Sequence, residues 1–375
     1  MRKSILTVAV SSAFAAPILA NAQTAAPAAP TLDKVLEASG ISLSGYVDTA
    51  YSHADRDVEA GFNPRVFDGQ NNSFVLHQVG LQVAKQPKEG FGGLVNITAG
   101  RDAGIIRSSD STDSTFDVTQ AYGQYASGPF TVMAGKFTTL HGTEVIWSPS
   151  NNNFSRSLLF GAVPFTHTGV RAVFAANDIV SLTAGVNNGW DQLKDQNRGK
   201  TTELGITVTP IKTVSIVGSY YGGQENSTTT GTAGRRDSYN LVASWTIMEP
   251  LTIGAEYLRV QQKDAIFDAS GTSAKATYSG YAVYLSYLVM PKLKVSVRGE
   301  SFDDKDAFHF GVPGASTTGG KYKEGTLTVA YLPADSYEVR GELRQDRSNQ
   351  QAFTGDNGSF SKNLTTFAVQ VLYKF

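Results

Sequence analysis

The chain has 375 residues, of which 32 are Lys or Arg, 33 are Asp or Glu and none is Cys. The near-zero net charge argues against a nucleic-acid binder that acts through a global basic field, and the lack of cysteine excludes a disulfide scaffold, a thiolate metal site and a cysteine nucleophile. Beyond the N-terminal segment there is no run of roughly 18 or more apolar residues, so helical membrane spans are excluded there.

The N-terminus has the features of an export signal. A short basic start precedes an apolar stretch from Ile5 to Leu19, and the small-x-small sequence that ends at Ala22 is typical of a cleavage site. We therefore predict a signal peptide over residues 1–22, cleaved after Ala22, with an uncleaved anchor or a buried helix as the alternative. Residues 23–40 then form a periplasmic leader with a possible short helix.

From residue 41 onward, the hydrophobic pattern has a period of two. Apolar side chains occupy every second position of the last strand: Phe367, Val369, Val371, Tyr373 and Phe375. A helix would need apolar residues three and four apart, so these segments are predicted as strands. About sixteen such segments occur, each with the roughly ten residues that a tilted strand needs to cross a bilayer. Their predicted spans are 41–52, 73–84, 91–101, 116–125, 130–139, 167–175, 179–188, 201–209, 214–221, 237–247, 251–261, 277–288, 292–302, 322–331, 336–346 and 365–375.

The connections between these strands alternate between short turns and long segments such as 140–166 and 222–236. Prolines fall in the connections and never inside a predicted strand, where they would delete a ladder hydrogen bond. We predict an all-β fold, with residues 41–375 forming one closed antiparallel transmembrane β-barrel of about sixteen strands, short periplasmic turns and long extracellular loops. Closure is required because lipid offers no hydrogen-bond partner to a sheet edge.

Aromatic side chains on the predicted outer face concentrate near both ends of the strands, as expected for two membrane interfaces. The belt predicted at the outer rim consists of Tyr51, Phe137, Tyr220 and Tyr257.

The export signal, the sixteen-strand pattern and the terminal Phe375 resemble a Gram-negative outer-membrane porin. The ending Val369-x-Val371-x-Tyr373-x-Phe375 resembles the signal that such barrels present to the outer-membrane assembly machinery, with Tyr373 and Phe375 as its aromatic residues. Two inner stretches are similar to the OmpL-like beta-barrel porin-2 family. The first is Arg65-Val66-Phe67-Asp68 followed by Asn72-Ser73-Phe74, and the second runs from Ser148-Pro149-Ser150-Asn151 through Ser157.

This resemblance covers essentially the whole mature chain. It implies a lipid-surrounded channel in the Gram-negative outer membrane and is compatible with a homotrimer. The polar, charged lumen face predicts passive diffusion of small hydrophilic solutes or ions, and no motif predicts a cofactor, metal or nucleic-acid site. The chain departs from the general porin pattern in one respect, because about eighteen residues precede the first strand where porins usually begin it almost at the mature N-terminus. This difference leaves a periplasmic role for the leader open.

The third long loop, residues 140–166, is unusually apolar for an exposed segment. Besides Glu144 and Arg156 it carries Trp147, Leu158, Leu159 and Phe160. Such a loop needs a surface to pack against, and the third loop of general porins folds into the lumen. We expect insertion into the lumen; packing over the outer rim or against a neighbouring subunit is the alternative.

Charged residues on the polar faces of the strands are the candidate pore-lining groups. With the two loop charges they are Glu144, Arg156, Arg171, Lys294, Arg298, Glu300, Glu338, Arg340, Glu342 and Arg344. Over all the predicted strands, seven inward positive charges stand against seven inward negative charges, which predicts weak overall selectivity with local fields set by clustering. We expect the loop charges to face the wall charges across an aqueous gap of about 8–10 Å, where screening is partial. The alternative is that they are solvated charges that satisfy one another.

Other functional classes have weaker support. A hydrolase could use His141 or His167 with a serine of the third loop, but no nucleophile motif surrounds them and we predict no catalytic residue. Asp303, Asp304 and Asp306 could hold a divalent ion, although a solvated acidic loop is the favoured interpretation. A barrel that serves as a surface anchor or adhesin is the second candidate after the channel.

Overall fold

The computed structural model describes residues 31–56, 64–268, 270–310, 319–354 and 359–375, so the predicted signal peptide lies outside the described residues. The strands are β1 Ser42–Ala54, β2 Ser73–Lys85, β3 Gly90–Ala99, β4 Phe116–Ser127, β5 Phe130–Thr138, β6 Thr166–Ala175, β7 Val180–Asn187, β8 Thr201–Ile211, β9 Val214–Asn226, β10 Ala233–Met248, β11 Leu251–Phe267, β12 Ser273–Met290, β13 Leu293–Asp304, β14 Gly320–Ala334, β15 Tyr337–Ser348, β16 Phe353–Thr354, β17 Phe360–Ser361 and β18 Asn363–Lys374. The helices are α1 Leu32–Ser39, α2 Ala103–Ile106 and α3 Leu158–Gly161, with a 3₁₀ turn at Ser148–Ser150.

Sixteen of these strands form one closed antiparallel barrel. Each strand pairs with its neighbours along the chain, and β1 closes the ring against β18 with Val47 opposite Tyr373. The short strands β16 and β17 form a separate hairpin in the last loop. The predicted sixteen-strand antiparallel barrel is therefore confirmed. No helix in the described ranges is long and apolar enough to cross a membrane.

Short and long connections lie at opposite ends of the barrel. The eight loops at the long end, named L1 to L8, are residues 55–72, 100–115, 139–165, 188–200, 227–232, 268–272, 305–319 and 349–362. The predicted long connection at 222–236 is wrong, because β9 and β10 stay paired up to Asn226 and Ala233. Beyond the bilayer both faces of a hairpin meet water, so the hydrophobic contrast that marks a strand disappears while its backbone pairing continues.

The outer face of the barrel is apolar and the inner face is polar. In β15, Tyr337 and Leu343 are exposed on the outside, whereas Glu338, Arg340, Glu342 and Arg344 are buried inside. The outer aromatic side chains at the short-turn end include Tyr125, Trp245, Tyr331, Tyr337 and Tyr373. This distribution is what lipid outside and water inside select.

The predicted outward orientation of Phe137 is wrong. The ring is buried, and the Arg171 guanidinium lies 4.1 Å from its centroid. By register, Met133, Gly135 and Phe137 share the inner face with Arg171 and His167. Small residues around Gly135 give this strand little polar contrast, so its phase is difficult to predict from the pattern.

Helix α1 precedes the barrel within the predicted leader. It begins after Thr31 and ends at Gly40, whose φ of 65° is left-handed. Glycine adopts this conformation without a Cβ clash, which explains why the helix ends there.

Candidate functional site

Loop L3 lies inside the barrel rather than over its rim. It follows β5 and forms hydrogen bonds with inward side chains on β9, β10, β11, β13, β14 and β15. These partners are Ser219, Tyr221, Ser238, Asn240, Glu256, Arg298, Glu300, Thr328, Arg340, Glu342 and Arg344. The loop therefore crosses the lumen from one wall to the opposite one.

Three arginines of the wall donate hydrogen bonds to the backbone carbonyls of L3. Arg298 binds the carbonyl of Ser155 at 2.8 Å, and Arg340 binds that of Asn151 at 2.7 Å. Arg344 binds the carbonyl of Arg156 at 2.6 Å. The planar guanidinium provides several donors in a rigid arrangement, so each arginine can hold the loop and a wall carboxylate together.

Three wall carboxylates accept hydrogen bonds from backbone N–H groups of the same loop. Glu300 accepts from Leu158 and Leu159 at 2.5 and 3.2 Å. Glu342 accepts from two successive amides, residues 154 and 155, at 2.7 and 2.9 Å, and Glu256 accepts from the amide of residue 143 at 2.9 Å. The alternating charges of the wall thus supply the donors and acceptors that an irregular backbone segment lacks.

The two loop charges predicted from the sequence have different positions. Glu144 accepts a hydrogen bond from Arg298 at 2.7 Å and one from the Ser157 amide at 2.7 Å. Arg156 donates to the carbonyls of Phe154 and Val145, at 2.8 and 3.2 Å. Glu144 therefore joins the loop to the wall, whereas Arg156 holds the fold of the loop itself.

The expected aqueous gap of about 8–10 Å between the loop charges and the wall is wrong. Arg298 and Glu144 are in direct contact, and Arg298 and Arg340 are 0% exposed. The physical reason is that the L3 backbone needs hydrogen-bond partners, and the wall side chains provide them directly instead of through water.

The remaining predicted residues form pairs away from L3. Lys294 and Arg340 both contact Glu338, at 3.3 and 2.8 Å. Arg171 forms a two-point ion pair with Glu203, one bond of which measures 2.9 Å. The structure therefore brings seven of the ten predicted residues to L3, and leaves Arg171, Lys294 and Glu338 in neighbouring pairs.

Two further loops reach into the lumen at residues that sequence reasoning did not select. In L1, Arg65 binds Asp68 at 2.8 Å and also the carboxylate of Asp346 on β15. In L2, Asp102 accepts from Gln78 at 2.9 Å and contacts His77 at 3.0 Å. The apolar and charged Arg65–Asp68 stretch inside a long loop is the same kind of signal that singled out L3.

The far end of L3 is held from L4. One oxygen of Asp191 accepts the amide hydrogens of Phe165 and Thr166, both at 2.8 Å. Burial of this carboxyl raises the pKa of Asp191 to about 7, against the lowering effect of the two amide bonds. The Asp191 carboxyl consequently gains or loses its charge near neutral pH. The oxygen that accepts the two amide hydrogens can keep these bonds when the other oxygen carries the proton.

The alternative chemical sites are not assembled. His141 binds the hydroxyls of Ser219 and Ser238 at 2.7 and 2.8 Å, instead of a serine of its own loop. His167 contacts the carbonyl of Gly189 at 3.0 Å. Among the described residues, no cluster of three or more His, Asp or Glu side chains could hold a metal ion.

The acidic residues where β13 meets L7 bind neighbouring protein groups. Asp304 accepts the backbone amides of Phe308 and Phe310 at 2.9 and 2.7 Å. Asp303 pairs with Lys321 at 3.1 Å. These contacts favour a structural interpretation of the cluster over an ion site.

A cavity of about 250 Å³ remains between L3 and the inner faces of β2 to β5. Its lining includes Gln82, Asn96, Thr119, Gln120, Thr138, His141, Glu144, Trp147, Phe160 and Phe165. The barrel wall contributes amides and hydroxyls, and the loop contributes most of the apolar surface.

The family profile described as beta-barrel porin-2, OmpL-like matches residues 40–375. The chain belongs to this family of barrel channels, which places it in the outer membrane of a Gram-negative bacterium. A search of curated protein sequences gave no significant match.

Several solved barrels are similar to the chain in fold. The outer membrane channel DcaP of Acinetobacter baumannii has a TM-score of 0.62 at 14% identity, and the alignment covers 89% of this chain and 97% of that one. The trimer form of OmpT from Vibrio cholerae gives 0.61 at 13% identity, covering 89% and 99%. An anion-selective porin from Comamonas acidovorans has a TM-score of 0.60 at 12% identity, and the alignment covers 89% of this chain and 99% of that one. At these identities the likeness shows the fold alone.

Proposed function

We propose that this protein is an outer-membrane porin in which L3 narrows the lumen, and that small hydrophilic solutes or ions cross it by passive diffusion without catalysis. The observation that carries the proposal is the set of hydrogen bonds by which side chains of the inner wall hold the L3 backbone inside the barrel. A sixteen-strand barrel encloses more space than its inward side chains can fill, so an inserted loop sets the width of the remaining path.

The charges around L3 support weak ion selectivity. Arg298 is paired with Glu144 and Glu324, both at 2.7 Å, and Arg344 is paired with Asp346 at 2.7 Å. Both of these wall arginines therefore have carboxylates in direct contact, which largely cancels their local fields.

We also propose how the chain is processed and assembled. The sequence at residues 1–22 favours export and cleavage after Ala22, and the leader with α1 then remains on the periplasmic side. Lipid surrounds the apolar outer face, and Tyr373 and Phe375 present the signal for the assembly machinery. The trimer form of a solved barrel with the same fold supports a homotrimer.

Planar-bilayer recording on refolded protein tests the function. We expect stepwise increases in conductance, with a reversal potential near zero in a salt gradient because the wall arginines Arg298 and Arg344 are paired with carboxylates. Heat-dependent gel mobility would confirm that the barrel is folded. A folded barrel that never conducts would contradict the channel and favour a surface anchor, and release of fatty acid from phospholipid would favour a hydrolase.

A further inference from the structure

We propose that the cavity between L3 and β2 to β5 binds small uncharged solutes that carry several hydroxyl groups, the chemistry of a monosaccharide. This inference rests on the proposed porin function and names the class of solute that the lumen favours. It is carried by the polar groups, the aromatic surface and the charge of the cavity lining.

The wall side of the cavity presents polar groups that the protein does not fully use. The Gln82 side chain forms no hydrogen bond within the described part of the chain. Gln120 uses its oxygen to accept from the Thr138 amide at 3.2 Å, and its amide nitrogen has no partner among the described residues. Neutral amides can both donate to and accept from hydroxyl groups, so they suit a polyhydroxylated solute.

The loop side of the cavity presents aromatic rings. Trp147 packs edge-on against Tyr46 with their ring centroids 4.4 Å apart, which restrains the indole. Phe160 and Phe165 line the same cavity, and their ring centroids lie 5.2 Å apart. A concave site with an apolar surface and a few convergent polar groups is the usual form of a small-molecule site, and a sugar ring offers both matching faces.

The lining carries little free charge. Its carboxylate, Glu144, is paired with Arg298, and its imidazole, His141, is held between two serine hydroxyls. Arg340 and Arg344 do not line the cavity, because they bind L3 and their own wall carboxylates. An ionic solute would lose hydration without gaining a counter-charge, so the site favours uncharged solutes.

The volume also limits the occupant. About 250 Å³ is below the roughly 300–1,000 Å³ of sites for drug-sized ligands. The cavity therefore suits a solute of one sugar ring rather than an oligomer.

The test is the effect of sugars on the ion current through single channels of the full-length refolded protein. Glucose is compared with glucuronate and glucosamine, which keep the ring but add a negative or positive charge. We expect glucose to reduce the current in a saturable way at lower concentration than either charged analogue. Gln82→Ala should weaken the glucose effect about two- to tenfold, as for the loss of one hydrogen bond.

Gln124→Ala is the matched control, because Gln124 is an inward amide on β4 that does not line the cavity. It should leave the glucose effect unchanged. A conducting channel that is insensitive to glucose, or that responds better to a charged analogue, would overturn this inference and leave the porin function intact. Equal effects of both substitutions would overturn the location of the site. Absence of conductance in folded protein would contradict both proposals.

Discussion

The double substitution Arg298→Ser and Arg340→Ser is expected to increase single-channel conductance by roughly twofold or more, because it removes two of the wall residues that hold L3 and loosens this part of the loop. Arg298 binds Glu144 and the backbone of Ser155, and Arg340 binds the carbonyl of Asn151. The loss of two positive charges should also shift the reversal potential toward cations, more strongly at low salt where screening is weaker.

The same double variant should be less stable than the parent. Removing one partner of a buried ion pair leaves the other charge uncompensated, at a cost of about 3–5 kcal/mol. Glu144 and Glu324, which both bind Arg298 at 2.7 Å, lose this partner. Thermal or denaturant unfolding in detergent measures this loss.

A charge-matched control separates release of the loop from loss of charge. Arg171→Ser with Lys294→Ser also removes two inward positive charges, but both residues pair with wall carboxylates, and no hydrogen bond or ion pair joins either of them to L3 among the described residues. This control should shift selectivity without a comparable rise in conductance. If both double variants conduct like the parent at low salt, the arginines do not hold a constriction.

Deletion of Phe375 is expected to reduce insertion into the outer membrane severely while changing the stability of the refolded barrel by only about 1–2 kcal/mol. The structural loss is small. Two backbone hydrogen bonds with Gly45, at 2.8 and 3.0 Å, and one ring that is 57% exposed are removed. The larger effect on insertion is expected because the C-terminal residues resemble the assembly signal of outer-membrane barrels.

Tyr331→Ala is the matched control for this deletion. Tyr331 is 50% exposed on the outer face at the same end of the barrel, but it lies in β14 rather than at the terminus. Surface labelling in cells and unfolding of refolded protein give the two readouts. Normal surface levels of the truncated chain, or an equal insertion defect in Tyr331→Ala, would contradict a role in assembly.

The strands could be predicted because the environment of the barrel repeats along the chain. Lipid outside and water inside impose an alternation of apolar and charged side chains along each strand. In β15, Tyr337, Val339 and Leu343 alternate with Glu338 and Arg340. This alternation can be recognised without knowing which residues are in contact across the barrel. Where the contrast is lost, the prediction fails. The β9–β10 hairpin stays paired through residues that the pattern assigns to a loop, and small side chains obscure the phase of β5.

The contacts inside the lumen could be predicted only in part. The apolar character of L3 indicates that it needs cover, and the charges on β13 and β15 are visible in the sequence. However, the groups that Arg340 and Arg344 bind on L3 are backbone carbonyls, which every residue carries. A sequence cannot show which backbone carbonyl accepts a hydrogen bond from an arginine. The sequence therefore suggests charged groups that face each other across water, whereas in the structure they form direct hydrogen bonds.

Cross-linking of L3 to the wall tests the central claim most directly. Asn153 on L3 donates to Thr328 on β14 at 2.6 Å, and the native chain has no cysteine, so Asn153→Cys with Thr328→Cys adds the only two thiols. We expect a short bifunctional thiol reagent to link them in the folded barrel and to leave single-channel conductance unchanged, since the loop already lies there. Failure to cross-link, or a large fall in conductance once linked, would show that L3 normally lies elsewhere.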